Sequence, residues 1–145
     1  MKLHCWGAES NVYEYEWPAN LDCLQDAHAT KIDFVMEDKL KSIVSCQFHY
    51  SNRVVSPQCP LVRLSQDEVE TRSLKLNQKK KPVKSIYVVK TQKDLIGSIE
   101  LYDQDGESID RQYFYHENDR PKSRVSLNLG PDEELIGFYA NCEIP

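Results

Sequence analysis

The alternation of apolar and polar side chains along this chain predicts β-strands almost throughout. The clearest stretch is residues 83–116, where the apolar or aromatic runs 86–89, 95–102 and 109–115 are separated by short polar breaks. Runs rich in β-branched and aromatic residues, broken by turn residues, are typical of antiparallel strands joined by short connections. The sequence therefore predicts a three-stranded meander here, with a turn at residues 103–106.

Further strands are predicted on both sides of the meander. Residues 12–17 alternate between aromatic and acidic side chains, which indicates a half-buried strand that ends at Pro18. The other predicted strands are residues 32–36, 40–50, 61–64, 69–76, 125–129 and 135–144, and the segments 51–60, 77–84 and 116–123 are predicted loops. Residues 20–28 form the one helix candidate, because Asn20 is a suitable cap and Leu21, Leu24 and His28 share a helical face.

These elements define the predicted fold class. About ten short strands at a spacing of roughly 8 to 12 residues indicate an all-β fold, an antiparallel sandwich or prism with at most one short helix. Residues 31–50 and 84–102 share an order of apolar strand, charged turn, strand with Ser-Ile and closing tyrosine, which suggests an internal duplication. The length of 145 residues favours one domain over residues 1–145.

Length and composition narrow the class of protein. The chain is 40% hydrophobic and 28% charged, as is typical of a globular domain. Residues 1–10 contain no apolar core of a secretory signal, and no run approaches the roughly 18 apolar residues of a transmembrane helix, so no membrane insertion is expected. The five cysteines form an odd set without a Cys-x-x-Cys pair, which favours reduced thiols and a cytoplasmic or other reducing intracellular compartment.

Charge is distributed in blocks, although the net charge is only -5. Residues 39–93 carry 12 basic and 3 acidic side chains, whereas residues 1–38 and 94–145 are both strongly acidic. Such blocks either neutralise one another within the fold or leave a basic face for an acidic partner. The second alternative makes the basic block a candidate contact region.

Four lysines in the basic block form the first candidate contact surface. Lys79, Lys80, Lys81 and Lys84 surround Pro82, and a proline among lysines predicts an exposed loop. An acidic protein surface is the expected partner. The pI of about 5.4 and the lack of an adjoining aromatic platform argue against nucleic acid.

The last predicted strand is the second candidate contact surface. Strand periodicity places Phe138, Cys142 and Ile144 on one face, which is expected to pack on the core. Either this strand leaves an open edge that a partner completes by strand addition, or the strand at residues 13–17 covers that edge.

Candidate chemistry is sparse. Cys46 and His49 have metal-like spacing, but residues three apart on a strand point to opposite faces. Asp103 and Asp105 resemble the start of a calcium loop, but position twelve of that loop is Phe114, so a hairpin turn at Asp-Gly is the prediction. The chain offers no Gly-x-Ser-x-Gly motif and no phosphate-binding glycine loop, so we expect no catalytic site, no metal and no cofactor.

Several short strings resemble a known family. These are Ile86-x-Val88, Ile96-x-Ser98-Ile99-x-Leu101-Tyr102 followed by Asp105-Gly106, and Glu134-Leu-Ile-Gly-Phe-Tyr139. They resemble jacalin-like β-prism domains and are similar to uncharacterised β-rich modules of ciliate proteins, over residues 31–142 at most. The resemblance implies an all-β architecture. It carries over no sugar-binding residue. Sugar binding in jacalin-like lectins relies on a glycine near the N-terminus and on a Gly-x-x-x-Asp type loop after the penultimate strand, and the final hairpin would have to follow Pro145.

The sequence thus predicts a non-enzymatic protein-interaction module, a structural or accessory subunit of a larger intracellular assembly. Its expected partners are other protein subunits, including one with an acidic surface. The alternative is a carbohydrate-binding, lectin-like domain.

Overall fold

The computed structural model describes residues 13–17, 24–37, 42–56, 69–93, 95–114 and 119–142. The strands are β1 (Tyr13–Trp17), β2 (Ala29–Glu37), β3 (Ser42–Tyr50), β4 (Val69–Lys75), β5 (Ser85–Thr91), β6 (Ile96–Tyr102), β7 (Ser108–Tyr113), β8 (Pro121–Asn128) and β9 (Phe138–Cys142). These residues include no helix, and every strand pair is antiparallel. The predicted all-β antiparallel fold is confirmed.

The four-stranded sheet has the order β7-β6-β5-β8. Its first members, β5, β6 and β7, are the predicted meander, in which each strand pairs with the next. The fourth strand, β8, returns to lie beside β5. This spatial order is that of a Greek key.

The three-stranded sheet, β3-β2-β4, repeats much of that order. The hairpin β2-β3 corresponds to β5-β6, and β4 lies beside β2 as β8 lies beside β5. After β3 the chain turns back, since the Tyr50 N–H donates to the Val54 carbonyl over 3.0 Å and the Ser56 N–H donates to the Phe48 carbonyl over 2.8 Å. The common order supports the hypothesis of an internal duplication. Strands β1 and β9 pair as a separate two-stranded sheet.

The core lies between the three- and four-stranded sheets. Alternate residues of β2 (Ile32, Phe34 and Met36) are buried in one cluster with residues of β5 and β6 such as Val88 and Leu101. Phe34 meets Phe114 edge to face, with ring centroids 5.3 Å apart, so an aromatic pair links the two sheets. The period-two alternation read from the sequence is therefore the alternation between core and outer face.

Side chains join the two sheets at one side, where edge strand β4 lies beside edge strand β7. The Lys75 N–H donates to Asp110 Oδ2 over 2.8 Å, and Gln112 Nε2 donates to the Ser73 carbonyl over 2.8 Å. The Arg72 guanidinium donates to the Tyr113 carbonyl. These bonds satisfy backbone groups that edge strands otherwise expose.

Three local predictions need correction or lie outside the described residues. In the predicted helix, residues 24–26 form a turn closed by an Ala27 N–H to Leu24 carbonyl bond, and residues 20–23 are not described. The loop predicted at residues 116–123 is wrong from Pro121 onward, because Pro121 begins β8, where an edge strand accepts a residue without an N–H. The predicted strand at residues 61–64 is outside the described part.

Among the described residues, no helix has the length and apolar character needed to cross a membrane.

Candidate functional site

The outer side of the four-stranded sheet carries tyrosine and arginine side chains. Ile86 and Val88 of β5 are buried in the core, so the alternate residue Tyr87 faces outward. Strand register places Tyr87 opposite Glu100 of β6 and Ser126 of β8, and Glu100 opposite Arg111 of β7. Directly opposed residues project to the same side of a sheet, so these side chains form a row across all its strands.

Neighbouring rows extend this surface. Tyr102 of β6 lies opposite Ser85, Tyr113 of β7 opposite Ser98, and Arg124 of β8 opposite Val89. We define the tyrosine–arginine face by six outward side chains. They are Tyr87, Glu100, Tyr102, Arg111, Tyr113 and Arg124.

Part of the face is held together by polar and aromatic contacts around Glu100. The Tyr102 hydroxyl donates to Glu100 Oε2 over 2.7 Å, and Arg124 Nη2 lies 3.9 Å from the same oxygen. The Arg124 guanidinium lies 3.9 Å from the centroid of the Tyr87 ring, a cation–π distance, and the Tyr87 and Tyr102 rings meet edge to face at 5.3 Å. Hydrogen bonding to Glu100 raises the pKa of Tyr102 above its usual value, because the bond favours the protonated hydroxyl that donates it.

The rest of the face is open to solvent. Tyr113 is 45% exposed, and the Arg111 guanidinium lies 5.7 Å from its ring centroid. In the part of the chain that the structure describes, Val55 is the other exposed large hydrophobic residue, at 44%. Tyrosine and arginine are enriched in the buried centres of protein interfaces, which makes this face a candidate contact surface.

Sequence reasoning predicted the strands of this face but not the face itself. The signal was present in the meander, where tyrosines alternate with core residues at 87, 102 and 113. What the chain alone did not reveal is the strand order, which brings Arg124 from β8 over Tyr87 of β5.

The structure separates the predicted lysine cluster into two parts. Lys79, Lys80 and Lys81 are exposed on a turn closed by a Lys81 N–H to Asn77 carbonyl bond of 2.7 Å. Lys81 Nζ lies 3.5 Å from Glu107 Oε2, and both side chains are largely exposed, so this ion pair contributes little to stability. We call residues 79–81 the lysine turn.

Lys84 makes contacts that differ from those of the lysine turn. Its half-buried ammonium donates to the carbonyls of Gly130 and Glu133, both over 3.1 Å, and approaches the Pro131 carbonyl at 3.5 Å. Lys84 therefore anchors the turn that follows β8.

The predicted last strand pairs with the first. Register places Phe138 opposite Trp17 and Cys142 opposite Tyr13. Strand β1 thus covers one edge of β9, as the alternative interpretation predicted. Ile144 lies outside the described residues.

A polar network occupies the outer side of the three-stranded sheet. The Ser73 hydroxyl donates to Asp33 Oδ1 over 2.5 Å, His49 Nε2 lies 2.7 Å from Asp33 Oδ2, and Lys31 Nζ lies 3.6 Å from that oxygen. Burial alone would raise the pKa of Asp33, but the hydrogen bonds from Ser73 and His49 and the charge of Lys31 hold it below the usual value. The Asp33 carboxylate lies between the Ser73 hydroxyl and the His49 imidazole. In a catalytic triad the imidazole lies between the hydroxyl and the carboxylate, so this arrangement differs from a triad.

The turn predicted at residues 103–106 is confirmed. Asp103 Oδ1 accepts the N–H groups of Asp105 and Glu107, both over 2.9 Å, and Gly106 adopts a φ of 77°, which favours glycine. Within the described ranges, no group of three or more His, Cys, Asp or Glu side chains is placed to hold a metal ion.

Comparisons with protein-family models, with curated proteins and with solved structures find no match to this chain.

Proposed function

We propose that this chain is a non-enzymatic protein-interaction module, a structural or accessory subunit of a larger intracellular assembly, and that it binds through the tyrosine–arginine face. One observation carries the proposal. The cluster of Arg124, Tyr87, Glu100 and Tyr102 is already ordered by its own contacts beside the exposed Tyr113.

Side chains that are already ordered in the free chain lose less conformational freedom on binding, which favours affinity. Immobilising a flexible side chain at an interface costs about 0.5 to 1.5 kcal/mol, and the contacts of Arg124 and Tyr102 meet part of that cost in the free chain. Tyr113 then offers a large, rigid apolar surface to a partner.

Charge defines the partner that this face fits. Arg111 and Arg124 are both exposed, and the face contains one carboxylate, Glu100. The contact of Lys81 with Glu107, in the β6–β7 turn, puts the lysine turn at one end of the same sheet. A protein subunit with an acidic surface complements this basic area, and the charges act mainly on specificity and association rate.

Carbohydrate binding is the alternative, and the exposed ring of Tyr113 is the observation that favours it, because sugars stack on open aromatic rings. The Tyr87 ring is less suitable, since Arg124 covers one of its faces. We place protein binding first for this reason.

The three- and four-stranded sheets pack together in a sandwich-like arrangement. We further propose that the β1–β9 pair adds a third sheet and makes the architecture a prism, in keeping with the resemblance to jacalin-like domains. The separate β1–β9 sheet and the shared strand order of the other two sheets support this. The odd number of cysteines supports a reducing intracellular compartment.

Affinity purification of the tagged chain from its native cells tests the proposed contact surface. We expect Tyr113→Ser combined with Arg124→Ala to lose the co-purifying subunits. The matched control, Val55→Ser combined with Arg53→Ala, changes two exposed residues outside the face and should retain the subunits. Equal retention by both variants, with both folded by circular dichroism, would contradict the proposal.

Two further experiments test the lysine turn and the carbohydrate-binding alternative. Replacing Lys79, Lys80 and Lys81 with glutamine should weaken retention at low salt and leave it unchanged at high salt, because exposed charge pairs are screened. A glycan array with the wild-type chain and the Tyr113→Ser variant addresses the alternative. Sugar binding that depends on Tyr113 would favour the lectin-like function.

A further inference from the structure

We infer that the outer edge of β8 binds an extended, acidic segment of a partner protein as an added β-strand. The inference rests on the proposed function for the existence of a protein partner, and it adds the mode of binding and the kind of segment bound.

Several of the other strand edges have neighbours among the described residues. Side chains join β4 to β7, the residues 54–56 return along β3, and β1 pairs with β9. Strand β8 is at the end of the four-stranded sheet and, among the described strands, pairs only with β5. All of its residues are exposed or half-buried.

Hydrogen-bond geometry identifies the backbone groups at this edge. The Leu129 N–H donates to the Lys84 carbonyl over 2.8 Å, and the register from Arg124 to Asn128 contains no shift. Successive residues of an antiparallel strand direct their N–H and C=O groups to opposite sides. Val125 and Leu127 therefore pair with β5, whereas the groups of Arg124, Ser126 and Asn128 point outward.

The same alternation can be checked across the sheet. The Phe114 N–H donates to the Gly97 carbonyl over 2.7 Å, which fixes the phase of the β6–β7 ladder. In this ladder the carbonyl of Tyr113 points away from β6. It accepts a hydrogen bond from the Arg72 guanidinium of β4 on that side. The directions deduced for β8 thus follow a rule that holds at the opposite edge.

The basic residues of β8 determine which kind of segment its outer edge can bind. Arg120, just before β8, and Lys122 and Arg124, in its first half, are exposed basic residues, and Pro121 lacks an N–H. Two copies of β8 would bring these like charges together, which disfavours pairing between copies. The same charges favour a segment with acidic side chains, and the outward groups at residues 124–128 are matched by about five residues of added strand.

The added strand would be continuous with the tyrosine–arginine face. Arg124 belongs both to that face and to the β8 edge. A bound segment would therefore place alternate side chains beside Arg124 and Ser126, and a partner could contact the edge and the face together.

Amide exchange with a defined peptide tests the inference. The probe is a heptapeptide of alternating Glu and Val, and its control is the Lys–Val counterpart. We expect the Glu–Val peptide at millimolar concentration to slow exchange of the Arg124, Ser126 and Asn128 amides by about tenfold or more, with little effect on Val125 and Leu127. The Lys–Val peptide should slow none of them.

A proline substitution removes one outward donor. Ser126→Pro should abolish peptide binding, whereas Ser126→Ala, which keeps the N–H, should bind as the wild type does. Proline is tolerated where the lost N–H does not belong to the ladder, so the melting temperature should fall by only a few degrees. If Ser126→Pro does not fold, the amide pattern of the wild-type chain still decides the question.

Four results from the amide-exchange experiment would overturn the inference. They are protection of the three outward amides in the free chain, protection that rises with protein concentration, equal effects of the two peptides, and no effect of the Glu–Val peptide. The first would indicate cover by another segment of this chain and the second a copy of it. Retention of native subunits that depends on Tyr113 but not on the Ser126 N–H would leave the proposed function intact and remove strand addition.

Discussion

At the scale of single residues, neighbouring lysines have different roles. Lys81 lies on an exposed turn with a weak ion pair, whereas the ammonium of Lys84 binds backbone carbonyls of the turn after β8. The sequence placed both in one basic loop because they are three residues apart. The carbonyl groups that bind the Lys84 ammonium belong to Gly130 and Glu133, which lie 46 and 49 positions further along the chain. Residues close to Lys84 in the sequence therefore do not indicate this contact.

Lys84→Met tests this distinction. The substitution keeps an apolar stem but removes the ammonium, so we expect the free energy of unfolding to fall by about 1.5 to 3 kcal/mol, the range for hydrogen bonds to charged groups. Lys79→Gln is the control, and its effect should stay within about 0.5 kcal/mol because the side chain is exposed. Urea denaturation of both variants measures the difference, and equal effects would show that Lys84 is not an anchor.

The Asp33 carboxylate makes the free energy of unfolding depend on pH in the acid range. Its folded-state pKa lies below the usual 3.8 because of Ser73, His49 and Lys31, although burial opposes them. A group whose pKa is lower in the folded state stabilises the fold at pH values above its unfolded pKa. This contribution should be lost as the pH falls through 3.8 and toward the lower, folded-state pKa.

Asp33→Asn should remove that part of the pH dependence and lower the free energy of unfolding at pH 7 by about 1.5 to 3 kcal/mol. Urea denaturation between pH 2 and pH 7 measures both effects. Asp105→Asn, on the exposed β6–β7 turn, controls for the loss of one negative charge. An unchanged acid profile in Asp33→Asn would show that the network around this carboxylate is not formed.

At the scale of elements, most strands were predictable. The meander β5–β7, the hairpin β2–β3 and strand β4 follow directly from apolar alternation, which is a local property. The start of β8 was missed because Pro121 indicates a loop, and only its position at a sheet edge makes a strand compatible with it. The short helix was over-predicted, since three residues with helical spacing weigh little against tertiary packing.

The junction of β4 and β7 supplies a prediction at this scale. Asp110 accepts the Lys75 N–H, so Asp110→Ala should accelerate exchange of the Lys75 amide and lower the free energy of unfolding by about 1 to 3 kcal/mol. Asp132→Ala, at an exposed position of the turn after β8, is the control. If the Lys75 amide exchanges at its wild-type rate in Asp110→Ala, the side-chain junction between the sheets is not formed in solution.

At the scale of the whole molecule, the sequence did not show the position of β8 in its sheet, and it left the pairing of β1 with β9 as one of two alternatives. Which strands pair depends on contacts between residues far apart, such as β8 with β5 and β1 with β9. The sequence indicated which residues share a face in several strands, but only the paired sheets bring the outward residues together. The tyrosine–arginine face is therefore a product of topology.

Packing between the sheets should make them unfold together. Phe114 is 2% exposed and contacts Phe34 across the sheets, so Phe114→Ala should lower the free energy of unfolding by about 3 to 5 kcal/mol. Both sheets should lose structure in one transition, seen as coincident amide exchange in β2 and β5. Separate transitions of β2 and β5 would contradict a shared core.

The proposed contact through the tyrosine–arginine face is tested most directly by site-specific photo-crosslinking in native cells. A photoreactive phenylalanine analogue replaces Tyr113 in one variant and Val55, which is equally exposed, in the other. We predict that the analogue at position 113 forms a crosslink to one discrete protein, that Arg124→Ala abolishes the crosslink, and that position 55 forms none. Crosslinks of equal yield and identity from both positions, or none from position 113 in an intact assembly, would contradict the account.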